Sequence, residues 1–132
     1  MKAIIKNEVA DNHNEEIINF AQTIDFLELF EYVKGLTKTD CCFSQPEITT
    51  NRGDVYITFM SDDITHQTGA FSAILKHCYF QTFNNRAYKD KESDEFCYWA
   101  KISIRYKHKD GGSNGMDITD ARYTENKGWE FY

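Results

Sequence analysis

The chain has 132 residues, 21 acidic and 15 basic side chains, a formal net charge of −6 and 15% aromatic residues, against one proline and 7 glycines. This composition excludes a disordered or low-complexity chain and suits one domain, residues 1–132, able to bury roughly two thirds of its unfolded surface in a single core. No window approaches about 18 consecutive apolar residues, so no transmembrane helix is expected, and the 4 cysteines, none in a C-x-x-C pair, suit a reducing compartment better than a disulfide framework.

Residues 2–8 predict a short strand or an arm, with too short an apolar run for a signal peptide, and a cytoplasmic protein is expected. Asn14-Glu15-Glu16 marks a helix start, because Asn caps and acids favour the positive end of the helix dipole. Asp25-Phe26-Leu27-Glu28 has the spacing of a capping box, and Phe26, Leu27, Phe30 and Val33 give an apolar stripe. Gly35 stands where a C′ glycine would end that helix. Residues 14–34 therefore predict one bent helix or two short ones.

Pro46 and Asn51-Arg52-Gly53 lie in a loop-like stretch, across which residues 47–50 and 54–60 predict a hairpin. Phe71, Ile74, Leu75 and Cys78 follow helical spacing, so residues 70–80 predict a helix. Residues 84–95 predict a solvated loop. Three strands then finish the chain, over about 96–109, 115–124 and 128–132. The first alternates strictly: Tyr98, Ala100, Ile102, Ile104 and Tyr106 on one side, Trp99, Lys101, Ser103, Arg105 and Lys107 on the other. The expected fold is α+β, an antiparallel sheet of about four to six strands with an N-terminal helix or helix pair and a mid-chain helix packed on one face.

Catalytic signatures are thin. His13, His66, His77 and His108 have no metal-site spacing with the cysteines. Cys41 or Cys42 with His66 carries no local mark of an activated thiol, and Asp62-Asp63 suits a cap better than an acid/base pair. Gly111-Gly112-Ser113-Asn114-Gly115 lies between alternating runs and reads as a hairpin loop rather than a phosphate cradle. No catalytic residue, cofactor or metal is expected, and binding is favoured over catalysis.

Two surfaces remain. Residues 1–34 carry 3 basic and 7 acidic side chains, whereas residues 96–132 carry 6 and 5. Glu15, Glu16, Asp25, Glu28 and Glu31 recur at helical spacing, a carboxylate surface able to compete with phosphates for an Arg/Lys-rich groove. Trp99, Lys101, Arg105 and Lys107 make a basic strand headed by a ring, the second candidate contact for a protein partner and also the pattern of a single-strand nucleic-acid platform; the net charge of −6 disfavours direct nucleic-acid binding. An exposed edge among the last strands makes a homodimer conceivable.

In its whole-chain character, short, acidic, rich in rings and ending in a hairpin sheet, the sequence resembles the small counter-defence proteins of phages and mobile elements, the anti-CRISPR and anti-restriction inhibitors. That resemblance implies a protein partner, a CRISPR or restriction nuclease, blocked without catalysis. The helix-first order and aromatic C-terminal strands are also similar to the nuclear-transport-factor-2-like cone fold, which implies an apolar pocket for a small ligand or substrate between helices and sheet. A helix near 70–80 would depart from that pattern.

Overall fold

Three strands of 12 residues each form the middle of the sheet, and shorter strands flank them. The computed structural model describes residues 1–6, 14–38, 40–62, 77–107 and 110–132. In chain order the elements are β1 (Ile4–Ile5), α1 (Glu15–Thr23), α2 (Leu27–Thr37), β2 (Glu47–Asn51), β3 (Asp54–Thr58), β4 (Cys78–Lys89), β5 (Phe96–Lys107), β6 (Ser113–Thr124) and β7 (Gly128–Phe131). The sheet has seven strands in the order β1 to β7. β1 runs parallel to β2, and every later neighbour is antiparallel.

Local chemistry sets the register. Asn51 pairs with Asp54 across Arg52 and Gly53, both at positive φ (53° and 84°), which is the two-residue turn whose twist matches a hairpin. Between β3 and β4 the backbone ladder is thin, with Val55 opposite Ala87. Side chains complete it: buried Asn85 accepts from the Ile57 N–H at 2.9 Å, and Thr82 Oγ1 accepts from the Phe59 N–H at 3.4 Å. Asn85 can do this because β4 bulges between Phe83 and Arg86, with Asn84 at φ 48°.

The two helices lie over the inner face of the sheet. Ile18, Phe20 and Ala21 of α1, Leu29, Phe30 and Val33 of α2, and Ile24 and Phe26 between them are buried. They meet Ile48, Ile57, Phe80, Tyr98, Ala100, Ile102, Ile104 and Ala121 in one core. Phe26 is the centre of this packing, with ring centroids of Phe30, Phe59, Tyr98 and Trp129 at 5.5–6.1 Å. Two polar tips are satisfied within it. Tyr98 donates to the Ile57 carbonyl at 2.9 Å, and the Trp129 indole N–H donates to the Asp25 carbonyl at 2.8 Å, tying β7 to the link between the helices.

The α+β expectation holds at the level of class, with a larger sheet than expected. The strand not expected is β4; β1 falls within residues 2–8, read as a short strand or an arm. Cys78, Tyr79 and Phe80, expected in a helix, instead open β4, where Cys78 faces Tyr106 and Phe80 faces Ile104. His77 before them is left-handed (φ 59°), and the rest of that expected helix, residues 70–76, lies outside the described residues. The alternation of buried Cys78, Phe80 and Thr82 against Tyr79, Gln81 and Phe83 competed with the helical spacing upstream, and pairing along the whole of β5 decided it. Residues 84–89, expected in a loop, are the second half of β4 for the same reason. Gly35 does not end α2; the helix continues to Thr37 and stops at left-handed Lys38, whose N–H bonds the Lys34 carbonyl. The break at 24–26 is as expected, giving two helices. No helix among the described residues is long and apolar enough to cross a membrane.

Candidate interaction surfaces

The sequence-derived residues fall into two groups on opposite sides of the sheet. The helices cover the inner face, and the basic strand residues lie on the outer one. The structure therefore does not combine acidic and basic residues in a single site.

On the helical side, Glu15 and Glu16 are exposed in the first turn of α1. Asp25 lies in the link, where its Oδ1 accepts from the Leu27 N–H at 3.0 Å and from the Met1 amino group at 2.7 Å. The amino group, then the Leu27 amide, holds the Asp25 carboxyl below the usual carboxylate range. Glu28 and Glu31 are exposed on α2, with Glu31 3.8 Å from Lys34. Sequence reasoning missed their apolar neighbours. Leu27, Tyr32 and Leu36 are 56%, 37% and 44% exposed, so the outward side of α2 is mixed acidic and apolar rather than simply solvated. The helical period explains it: 27, 28, 31, 32 and 36 share one side, while Leu29, Phe30 and Val33 face the core. Tyr32 stacks on Phe131 of the last strand, with centroids 3.9 Å apart and planes at 8°, so this side of α2 joins the β7 edge.

On the outer side, Trp99 pairs in register with Arg86 on β4 and Arg122 on β6. Further along lie Lys101 opposite Phe83 and Asp120, Ser103 opposite Gln81 and Asp117, and Arg105 opposite Tyr79 and Gly115. Half-buried rings and long cations alternate here, and most of the cations have partners. Arg86 binds Asp54 at 2.8 Å, and Lys101 binds Asp117 at 3.4 Å. Arg105 covers the Phe83 ring at 4.3 Å, and Lys107 lies 5.2 Å from the Tyr79 ring centroid. Gly115 leaves space for this arrangement: a Cβ there would stand 3.3 Å from the Arg105 Cδ and the Ile104 carbonyl oxygen. The Ser103 hydroxyl, donating at 2.8 Å, and Lys101 hold the Asp117 carboxyl below its ordinary value. The basic strand read from sequence is thus present, but acids on β6 and rings on β4 occupy much of its charge. Arg86, Tyr88, Tyr79, Phe83 and Arg122 were not anticipated; the alternation of residues 78–83 was the signal that could have found Tyr79 and Phe83, whereas Arg86 and Tyr88 lie beyond the bulge.

Clefts follow the same division. One of about 680 Å³, lined by Asn84, Arg86, Tyr88, Lys89, Asp90, Lys91, Glu92 and Trp99, opens on the outer side. The space between helices and sheet, where a cone-like pocket was the alternative expectation, is occupied by Phe26, Phe30, Phe59 and Tyr98. Among the described residues, no three His, Cys, Asp or Glu side chains converge to hold a metal. Cys41, Cys78 and Cys97 are buried thiols and Cys42 is exposed; His13, His66, His108 and Asp63 lie outside the described residues. No protein-family model, curated protein or solved structure matches the chain.

Proposed function

We propose that the chain is a non-catalytic protein inhibitor that binds and occludes a nucleic-acid-processing host-defence nuclease, with a CRISPR effector as the first candidate partner. One observation carries this reading: the outward side of α2 presents Glu28 and Glu31 among exposed Leu27, Tyr32 and Leu36. Carboxylates spaced along a helix offer a cationic groove the charge that a phosphate backbone would offer, and a nuclease channel neutralises phosphates with Lys and Arg. Leu and Tyr beside them supply apolar area that a purely solvated face lacks, and a ring such as Tyr32 is a common interface anchor. The net charge of −6 favours encounter with such a groove.

The test is a DNA-cleavage assay with a panel of RNA-guided and restriction nucleases and the purified protein. The expected result is stoichiometric inhibition of at least one nuclease, abolished by Glu28→Lys with Glu31→Lys in a protein whose circular dichroism is unchanged. No binding or inhibition across the panel, or inhibition untouched by the charge reversal, overturns the reading.

A further inference from the structure

The outer-face cleft has a composition that the inhibitor reading does not use. Its floor is the half-buried indole of Trp99, with Tyr88 among its walls. Arg86 stands beside Trp99 in register on one side and Arg122 on the other, so two arginine positions flank the indole's strand, with the Arg86 guanidinium held on Asp54 of β3. Lys91, exposed in the β4–β5 turn, and Asn84 complete the cationic and amide lining. Of the nearby acids, Asp90 turns a carboxylate oxygen to the Glu92 N–H at 3.1 Å, Asp94 pairs with Lys89 at 3.3 Å, and Asp54 pairs with Arg86. Arg122 flanks Trp99 on β6 without lining the cleft, and its Nη2 reaches the Cys97 Sγ at 3.8 Å.

We propose that this cleft binds a nucleoside monophosphate unit, its base stacked on Trp99 and its phosphate between Arg86 and Lys91. A flat π-system suits the indole face, and a guanidinium with a flanking ammonium suits a phosphate. The cleft is open to solvent, and its volume of about 680 Å³ lies within the range of small-ligand sites. The unit is either a free mononucleotide or an unpaired nucleotide within a single strand. The proposal is independent of the inhibitor reading, since it uses the opposite side of the sheet.

Tryptophan emission reads the site directly. The chain has two tryptophans, and Trp129 is buried against Phe26 and Tyr98. Uridine monophosphate and an oligouridylate are titrated into the full chain at low salt, each as a separate arm. Saturable quenching that disappears in Trp99→Phe supports the proposal; saturation by the mononucleotide identifies the free ligand, and saturation by the strand alone identifies the strand. Arg86→Gln and Lys91→Gln should each weaken binding about 10-fold, and Glu92→Gln, which removes a lining carboxylate, should strengthen it. Lys91 is exposed in a turn, so its variant keeps the test valid if Arg86→Gln disturbs the Asp54 pair. For the strand, log K should fall with log salt at a slope of about −0.7 per phosphate held. No quenching in either arm overturns the proposal, as does equal quenching by a polyglutamate peptide or an unchanged affinity in Lys91→Gln.

Discussion

Tyr98 and Trp99 are consecutive residues of one strand, and they divide the molecule. Tyr98 points inward, is fully buried, packs edge-on against Phe26 and Trp129, and donates its hydroxyl to the Ile57 carbonyl. Trp99 points outward, is half-buried, and lies between two arginines. The same residue class thus closes a core on one face and dresses an accessible surface on the other. The difference is set by what covers each face: two helices inside, and on the outside cations lying over rings. Removing an inner ring should therefore damage folding, and removing an outer ring should damage recognition.

The strongest test of that contrast is Phe26→Ala against Trp99→Ala. Phe26 touches four other rings and leaves a cavity when truncated, so a loss of about 3–5 kcal/mol is expected in urea denaturation. Trp99→Ala should cost about 1 kcal/mol or less, because its surroundings already include solvent and can relax. Equal losses would mean that the outer face is as structural as the inner one.

Asn85→Ala comes next, at about 1–3 kcal/mol, since it leaves the buried Ile57 N–H without its acceptor. This residue also shows what the sequence could and could not disclose. Asn84-Asn85 has the composition of a loop, and the alternation in β5 was unambiguous because one side was apolar throughout. β4 was not, because its pattern shifts face at the bulge, and what keeps Asn85 in a strand is a partner 28 residues away. Long-range pairing of this kind leaves no local trace. The helix break at Asp25, the Arg52-Gly53 turn and the outward Trp99 row were readable because each depends on near neighbours. The acids of the candidate surface were readable too, as exposed helical positions. Their apolar companions Leu27 and Leu36 were not, because both resemble core residues until the packing of α2 is known.

Tyr98→Phe sharpens the comparison with pH. At neutral pH it removes one buried hydrogen bond, a loss of about 1 kcal/mol. Burial pushes the Tyr98 hydroxyl well above the ordinary phenol range. An unfolded tyrosine loses its proton near pH 10, whereas folded Tyr98 keeps its own. The stability that this group contributes is therefore complete below about pH 10 and declines as the pH rises further, by up to about 1.4 kcal/mol per pH unit. The wild-type curve should fall more steeply above pH 10 than that of Tyr98→Phe, and the two should approach each other. Parallel curves would show that the Tyr98 hydroxyl reaches solvent.

The smallest effect on stability should come from Glu28→Lys with Glu31→Lys. Both side chains are exposed, and the 3.8 Å pair between Glu31 and Lys34 is the kind of surface ion pair that contributes little. A change within about 0.5 kcal/mol is expected in the same urea measurement. That small number gives the variant its value. A folding defect cannot then account for any loss of nuclease inhibition, and charge complementarity is left as the cause. If instead the double reversal destabilises the protein by as much as Asn85→Ala, the acids on α2 belong with the structural inner face, and the division drawn at Tyr98 and Trp99 does not extend to the helices.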